Sequence, residues 1–218
     1  MELVHAAHVP AGAGPFPAFL ALHGRGSNAH DLLGLAPVLE DGRAVVVCPQ
    51  GPLALSRASG MGGFAWVKAE GADRADFEQA RGQVLRFLDA ALERYPIRRD
   101  RLVLLGFSQG GAVAYDLFLR HPERFAALIA LSTWIPDSVL EGLAPGPALA
   151  GRPALVLHGT RDTLVAVERA RAARDTLQPL GIELRYREFE MGHELAPEAL
   201  GELLRWLASG LPPSEAAR

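Results

Sequence analysis

The sequence predicts a single α/β domain with a doubly wound, mostly parallel sheet and helices on both faces. Short apolar runs that end at Gly, Pro or Ser recur along the chain, and helical patterns separate them. A continuous apolar run indicates a strand buried on both faces, as in a parallel sheet between two layers of helices. The length of 218 residues fits one domain. We therefore expect residues 1–218 to form one α/β unit.

Seven segments are predicted to be strands. Residues 2–9 alternate between apolar and polar types, which is typical of an edge strand. The other six are residues 18–24, 43–49, 101–108, 125–132, 153–159 and 183–189. The run at 43–49 holds the single cysteine, Cys48, which we interpret as a buried core thiol.

Four segments with apolar residues close to a 3.6-residue spacing are predicted to be helices. They are residues 74–95, 109–120, 165–179 and 197–208, the last with Pro197 in its first turn. Two further segments have no period. Residues 51–72 contain five glycines together with Met61, Phe64 and Trp66, and a loop of this length is more often functional than idle. We expect residues 136–152 to cover the surface.

Composition and charge argue against nucleic-acid and membrane partners. The formal net charge is −3, which provides no basic surface for a nucleic acid. No apolar run approaches the roughly 18 residues of a membrane-spanning helix. The first residues, "MELVHAAHVP", carry no Lys or Arg ahead of an apolar run, so we expect no signal peptide. One cysteine allows no internal disulfide. We therefore expect a cytoplasmic protein whose partner is a small molecule.

A serine flanked by glycines follows the apolar run that begins at residue 101. The segment "GFSQG" (106–110) matches G-x-S-x-G, in which a tight strand-to-helix turn holds a nucleophilic serine. Gly106 and Gly110 suit this turn because larger side chains would strike it or the neighbouring helix. The alternative is that Ser108 only caps a helix. The apolar strand before Ser108 and the helical pattern after it favour a nucleophile.

His193 is the predicted base, because a serine hydroxyl needs a group that removes its proton. In proteins with this motif, serine, acid and histidine follow one another in that order. His121 sits at a predicted helix end and His158 at a strand end, and we interpret both as structural. His193 lies in a loop after the last strand, next to Gly192 and before a helix.

The predicted acid that orients this base is Asp162. It ends "HGTRD", just past a strand, where Gly159 and Thr160 can form a turn that aims the carboxylate. Asp137 follows another strand and remains the rival. Asp175 lies in a helical pattern and is expected to be exposed.

Backbone amides are the predicted donors to an oxyanion. Gln109 follows the serine and supplies one amide, and Arg25 in "HGRG" (23–26) supplies the other. Gly24 and Gly26 would let this loop approach a ligand. The alternative is an ordinary turn, and His23 is expected to make a structural hydrogen bond.

The four segments together resemble the phospholipase/carboxylesterase family of α/β-hydrolases, which includes acyl-protein thioesterases and small bacterial carboxylesterases. The resemblance covers residues 18 to 208 and is carried by "LALHGRGSNAHDLLGLA", "GFSQGGAVAYDLFLRHPERFAALIALSTWIP", "LVLHGTRDTLVAVERA" and "MGHELAPEALGELLRWL", in the family's order. It implies an α/β-hydrolase fold without a large cap domain. It also implies nucleophile, acid and base roles for Ser108, Asp162 and His193, with Arg25 and Gln109 as oxyanion donors.

The family's acyl pocket provides a further expectation. By resemblance, Trp134 in "STWIP" and Trp66 in "GGFAW" line the pocket, although both could instead pack in the core. The segments 51–72 and 136–152 are small for the family. Without a lipid-binding cover, long acyl chains and protein substrates are not expected.

The resemblance implies a serine hydrolase of carboxylic esters with short to medium acyl chains, which needs no metal or organic cofactor. Two alternatives remain open: an acyl-protein thioesterase or lysophospholipase, and a catalytically silent binding protein on the same fold. Family members are often monomers or dimers, so a homodimer is an open expectation.

Overall fold

A seven-stranded sheet lies at the centre of the computed structural model, which describes residues 3–56, 62–69, 72–143 and 146–210. The described strands are β1 (His5–His8), β2 (Phe16–Leu22), β3 (Val45–Pro49), β4 (Leu53–Ala54), β5 (Phe64–Ala65), β6 (Ile97–Phe107), β7 (Ala127–Leu131), β8 (Pro153–Gly159) and β9 (Glu183–Phe189). The large sheet has the order β1-β3-β2-β6-β7-β8-β9, and β4 and β5 form a separate hairpin. Every pair in the large sheet is parallel except β1 with β3.

Helices cover both faces of this sheet. Those in the described ranges are α1 (Arg74–Arg94), α2 (Gln109–Arg120), α3 (Asp137–Leu140), α4 (Val167–Leu177) and α5 (Pro197–Ala208). Apolar residues of α1, α2 and α4 pack on one face, and those of α5 pack on the other together with short 3-10 turns. The predicted α/β fold with helices on both faces is therefore confirmed. None of the described helices is long and apolar enough to cross a membrane.

The central strands are apolar throughout because both of their faces are covered. In β2, Leu20 and Leu22 belong to one core layer, whereas Phe19 and Ala21 belong to the other, and all four are at most 1% exposed. The same alternation in β3 buries Cys48, and burial raises the pKa of its thiol to about 12. Cys48 is therefore a core residue, as predicted.

The order of the strands reverses at β2. The chain passes from β2 to β3 on one side and later returns to place β6 on the other side of β2. In open parallel sheets, ligands bind in the crevice beyond the carboxyl ends of the strands at such a switch point. Here that crevice lies between Arg25, after β2, and Ser108, after β6.

All seven predicted strands and all four predicted helices occur, four of them with the predicted bounds and the others with shifted ends. β6 begins at Ile97 rather than at residue 101, because Ile97 pairs with Phe16 of β2 although charged residues follow it. α4 ends at Leu177 and continues as the 3-10 turn Gln178–Leu180. Pro179 has no amide hydrogen with which to extend an α-helix.

The two segments without a period are more ordered than the sequence indicated. Residues 51–72 contain the β4–β5 hairpin, and Ala65, Trp66 and Val67 after it are buried. Residues 57–61, with Met61, and 70–71 lie outside the described residues. Residues 136–152 contain α3 and the buried side chains of Val139 and Leu149. Such short elements leave no detectable period in the sequence.

Candidate active site

Ser108 lies at the sharp turn between β6 and α2, with φ 52° and ψ −122°. A backbone conformation this rare for a residue with a side chain costs about 1–3 kcal/mol, so its surroundings must hold it. The Ser108 amide donates to the carbonyl of Leu131 at 3.0 Å, and the amide of Gly111 donates to the carbonyl of Ser108 at 2.9 Å. The Ser108 hydroxyl makes no capping hydrogen bond to α2. This strained strand-to-helix turn matches the turn predicted from the G-x-S-x-G motif, and the Ser108 side chain does not cap α2.

Three glycines allow α2 to begin this close to the sheet. A Cβ at Gly106 would lie 2.6 Å from the carbonyl oxygen of Gly110, and a Cβ at Gly110 would overlap the carbonyl oxygen of Leu22. The sequence predicted these two positions. Gly111 adds a third, because a Cβ there would lie 2.5 Å from Cγ2 of Thr133. Its constraint comes from a residue distant in sequence, so the motif alone did not reveal it.

Asp162 follows β8, and its buried carboxylate is held by three donors. Oδ1 accepts from the amides of Leu164 at 2.9 Å and Val165 at 2.8 Å, and Oδ2 accepts from Nδ1–H of His193 at 2.7 Å. Burial alone would raise the pKa of Asp162, but the bonds from Val165, His193 and Leu164 together lower it. The ionised carboxylate fixes the tautomer of His193 with the proton on Nδ1, which leaves Nε2 able to accept a proton.

The loops that carry Asp162 and His193 lie side by side. The amide of Thr160 donates to the carbonyl of Phe189 at 2.8 Å, and the amide of Arg161 donates to that of Met191 at 3.1 Å. A Cβ at Gly159 would overlap the carbonyl oxygen of Met191. Glycine at this position therefore lets the loop after β9 approach the end of β8 closely enough for His193 to bond Asp162.

The other candidate acids and bases do not form this pair. His158 is fully buried, and its Nε2–H donates to the carbonyl of Val165 at 2.8 Å and lies 3.5 Å from Oδ2 of Asp162. His121 is the residue after the last turn of α2, and Asp175 is exposed on α4. Asp137 borders the cleft described below, but no hydrogen bond joins it to a histidine within the described ranges. The structure thus brings Asp162, and not its rival, to His193.

Arg25 and Gln109 border the same cleft at the switch point of the sheet. Gln109 is the first residue of α2, so its amide has no acceptor within the helix. In the part of the chain that the structure describes, neither amide donates to a protein acceptor. The loop around Arg25 is tied to β5, since the amide of Gly26 donates to Phe64 and the amide of Phe64 donates to Ser27, both at 2.8 Å.

Trp66 does not line the cleft, contrary to the prediction. Its side chain is 2% exposed, and its indole Nε1–H donates to the carbonyl of His23 at 2.8 Å. Its amide donates to Oε1 of Gln109 at 2.8 Å, while Nε2 of Gln109 donates to the carbonyl of Val67 at 2.9 Å. Trp66 is held in the core because both of its N–H groups have partners there. It links the loop after β2 to the start of α2.

A cleft of about 620 Å³ opens over Ser108 and His193. Trp134 lines it and is half-buried. The remaining described lining includes Val67, Phe77 and Leu164 as apolar walls, and Lys68, Asp31 and Arg169 as charged groups. This is the size of a pocket for a small organic molecule, with mixed apolar and polar walls.

Two residues of this site were missed by sequence reasoning. The ring of Phe107 lies 4.9 Å from that of His193 at an interplanar angle of 49°, and it borders the cleft. The guanidinium of Arg169, on α4, lies 4.6 Å from the centre of the Trp134 ring. Phe107 directly precedes Ser108, which is the signal that could have found it. Arg169 carries no motif.

Known proteins resemble this chain in sequence and in fold. Residues 9–210 match the model of the phospholipase/carboxylesterase family. A protein of Gibberella zeae named acyl-protein thioesterase 1 is 32% identical over 117 residues, which cover 52% of this chain and 50% of that protein. Another so named, from Cryptococcus neoformans, is 27% identical over 215 residues, covering 87% and 90% of the two chains. The structure of esterase PE8 is 26% identical and has a TM-score of 0.80, covering 96% of this chain and 99% of that one.

Proposed function

The chain belongs to the phospholipase/carboxylesterase family of α/β-hydrolases, and on that premise we propose that it is a serine esterase acting through an acyl-enzyme on Ser108. The observation that carries the proposal is the convergence of a strained serine and an Asp162-bound His193 on one cleft. A serine hydroxyl becomes an effective nucleophile only beside a base whose orientation is fixed.

In the proposed reaction, the hydroxyl oxygen of Ser108 attacks the ester carbonyl while Nε2 of His193 takes the hydroxyl proton. The carbonyl oxygen becomes an oxyanion, and His193 then gives the proton to the leaving alkoxide. Water, activated by the same histidine, hydrolyses the acyl-enzyme and releases the acid. The ionised Asp162 stabilises the imidazolium in both steps. The low pKa of Asp162 supports this role, because the carboxylate stays charged while His193 carries the proton.

The proposed oxyanion hole consists of the amides of Arg25 and Gln109. They follow the neighbouring strands β2 and β6, so both can donate to the oxygen of one ester carbonyl. Both amides lack a protein acceptor within the described part of the chain and are therefore available to a developing charge. Removing one such donor from a hydrolase lowers kcat about 10²–10³-fold.

The proposed substrates are esters with short to medium acyl chains. The cleft of about 620 Å³ lies in the range of pockets that enclose small molecules, and its described walls mix apolar with charged groups. We place Trp134 and Leu164 against the acyl or alkyl chain, since both present apolar surface to the cleft. Leu164 is 75% exposed, which is unusual for a leucine and leaves its side chain free to contact a ligand.

A thioesterase acting on acylated proteins is the second candidate, because two of the similar proteins carry that name. Both reactions use the same acyl-enzyme, so the groups around Ser108 do not separate them. A series of p-nitrophenyl esters from acetate to palmitate, compared with acyl-thioesters of the same lengths, distinguishes the two. Esterase function predicts a maximum of kcat/KM at short or medium ester chains, whereas a maximum at long-chain thioesters favours the second candidate.

The test of the proposed mechanism is hydrolysis of p-nitrophenyl butyrate by wild type, Ser108→Ala and Ser138→Ala. Ser138 also borders the cleft, so Ser138→Ala is a matched control. Removing the nucleophile of a serine hydrolase lowers kcat by about 10⁶-fold. We expect a loss of this order in Ser108→Ala and a rate close to that of wild type in Ser138→Ala. Substantial activity in Ser108→Ala would rule out the assignment.

A further inference from the structure

The peptide that carries the Arg25 amide is held at its other end by His23. Nδ1 of His23 lies 2.7 Å from the carbonyl oxygen of Gly24, and the amide of Gly51 donates to Nε2 at 2.9 Å. Because Nε2 accepts, the ring proton must be on Nδ1, and the ring therefore donates to Gly24. His23 is 1% exposed, and burial lowers its pKa, in accord with a neutral ring.

The peptide that carries the Gln109 amide is held in the same way by Thr133. The hydroxyl of Thr133 donates to the carbonyl oxygen of Ser108 at 2.6 Å, and the side chain is 1% exposed. Thr133 follows Ser132, whose φ of 45° turns the chain at the end of β7. Gly111 leaves the space that the methyl group of Thr133 occupies.

We propose that His23 and Thr133 are positioning residues of the oxyanion hole, each orienting one of its two donor peptides. A peptide unit is planar, and in its trans form the C=O and the N–H point in opposite directions. A side chain that holds the carbonyl of Gly24 or Ser108 therefore aims the following amide away from itself. A hydrogen bond to the carbonyl also polarises the peptide, which strengthens its N–H as a donor.

Trp66 links His23 to Gln109, the residue that carries the second donor amide. Its indole donates to the carbonyl of His23, and its amide donates to the side chain of Gln109. The His23 and Trp66 rings lie 5.2 Å apart. The two donor peptides are thus fixed relative to each other and not only within their own loops. An oxyanion hole that is rigid before the substrate binds needs no reorganisation during the reaction.

This inference rests on the proposed function, since it concerns the same reaction. The test compares Thr133→Val, which removes the hydroxyl at constant shape, with Thr133→Ser, which keeps it. Measurements are kcat and KM for p-nitrophenyl butyrate, and Ki for a butyl trifluoromethyl ketone, whose serine adduct places an oxyanion in the hole. Thr176→Val is the matched control, because its hydroxyl also donates to a backbone carbonyl, on the exposed face of α4.

We expect Thr133→Val to lower kcat about 10- to 100-fold, less than the loss of a whole donor. KM should change less than kcat, and Ki should rise by the factor by which kcat/KM falls. Thr133→Ser should restore most of the activity, and Thr176→Val should match wild type. If Thr133→Val does not fold, Thr133→Ala replaces it.

His23→Asn tests the peptide that carries the Arg25 amide. His8→Asn is its control, since His8 also bonds a backbone carbonyl.

Three results would overturn the inference: unchanged kcat/KM in Thr133→Val, an equal loss in Thr133→Ser, or a loss of kcat that the ketone's Ki does not follow. The last result would assign Thr133 a merely structural role. Failure of the proposed function is distinguishable, because Ser108→Ala would then retain activity whatever the Thr133 variants do.

Discussion

His193 donates a hydrogen bond from Nδ1 to Oδ2 of Asp162 over 2.7 Å, although the two residues lie on loops after different strands. The carboxylate also accepts two amide bonds from its own loop, so its position does not depend on the histidine. This arrangement holds the imidazole in the tautomer that exposes Nε2.

Asp162→Asn should preserve the fold and abolish most of the activity. An amide can donate to Nδ1 and so stabilise the wrong tautomer, which in a related triad lowers kcat about 10⁴-fold. We expect a loss of this order in kcat for p-nitrophenyl butyrate at pH 7.5. Asp175→Asn, on the exposed face of α4, should behave as wild type. A loss of less than about tenfold in Asp162→Asn would show that another group orients His193.

Gly110→Ala should destabilise the protein, whereas Gly82→Ala should not. A methyl group at Gly110 would overlap the carbonyl oxygen of Leu22, and moving that backbone would displace the elbow. A methyl group at Gly82, on α1, would meet only the flexible end of Arg86 at 3.4 Å. Urea unfolding should show a loss of more than about 2 kcal/mol for Gly110→Ala and a gain of up to about 1 kcal/mol for Gly82→Ala. Equal stabilities of the two variants would contradict the described packing.

The two tryptophans should respond differently to replacement by phenylalanine. Trp66→Phe removes the indole donor and leaves the carbonyl of His23 unpaired in the core, which costs about 1–3 kcal/mol. Trp134→Phe alters the wall of the cleft and should change KM and the chain-length profile with a smaller effect on stability. Thermal unfolding and p-nitrophenyl ester kinetics measure both variants. If only Trp66→Phe changes the chain-length preference, Trp66 contacts the substrate and the described packing is wrong.

Glu188 should contribute to stability in a pH-dependent way. Hydrogen bonds from Arg171 are the main reason that the pKa of Glu188 is lowered to about 2. Burial opposes this shift, and a hydrogen bond from Tyr186 adds to it. A lowered pKa in the folded state gives stability that is fully present above the unfolded pKa of about 4.3. This stability is lost as the pH falls through the folded pKa, near 2. The difference in unfolding free energy between wild type and Glu188→Gln should therefore be constant from pH 7 to 5 and shrink below pH 4.

Glu190→Gln is the control for this measurement, because Glu190 pairs with Arg161 on the exposed surface. The unfolding free energy of Glu190→Gln should stay close to that of wild type at every pH. If the difference in unfolding free energy between wild type and Glu188→Gln grows as the pH falls from 5 to 3, Glu188 does not have a lowered pKa in the folded protein.

Continuous apolar runs and helical spacing were sufficient to predict the sheet and its four long helices from the sequence. These patterns are strong because the central strands are buried on both faces. The hairpin β4–β5 and the helix α3 were not predicted, since elements of two to four residues carry no period. Their positions depend on contacts with residues distant in the chain.

The tight turn at Ser108 and the Asp162–His193 pair were predictable because each follows a strand, where parallel sheets place their functional groups. The position of Trp66 was not predictable, because a tryptophan in a glycine-rich segment is compatible with both a pocket wall and a core. Its two hydrogen-bond partners, the carbonyl of His23 and the side chain of Gln109, decide between them, and both come from other elements. The supporting roles of Thr133 and Gly111 likewise follow only from the approach of β7 to α2.

The most direct test of the central claim is to identify the residue that a fluorophosphonate probe modifies. Peptide mass spectrometry after labelling of wild type, Ser108→Ala and Ser138→Ala locates the adduct. We expect one adduct per chain on Ser108, unchanged in Ser138→Ala and absent in Ser108→Ala. An adduct on another residue, or equal labelling of Ser108→Ala, would contradict it.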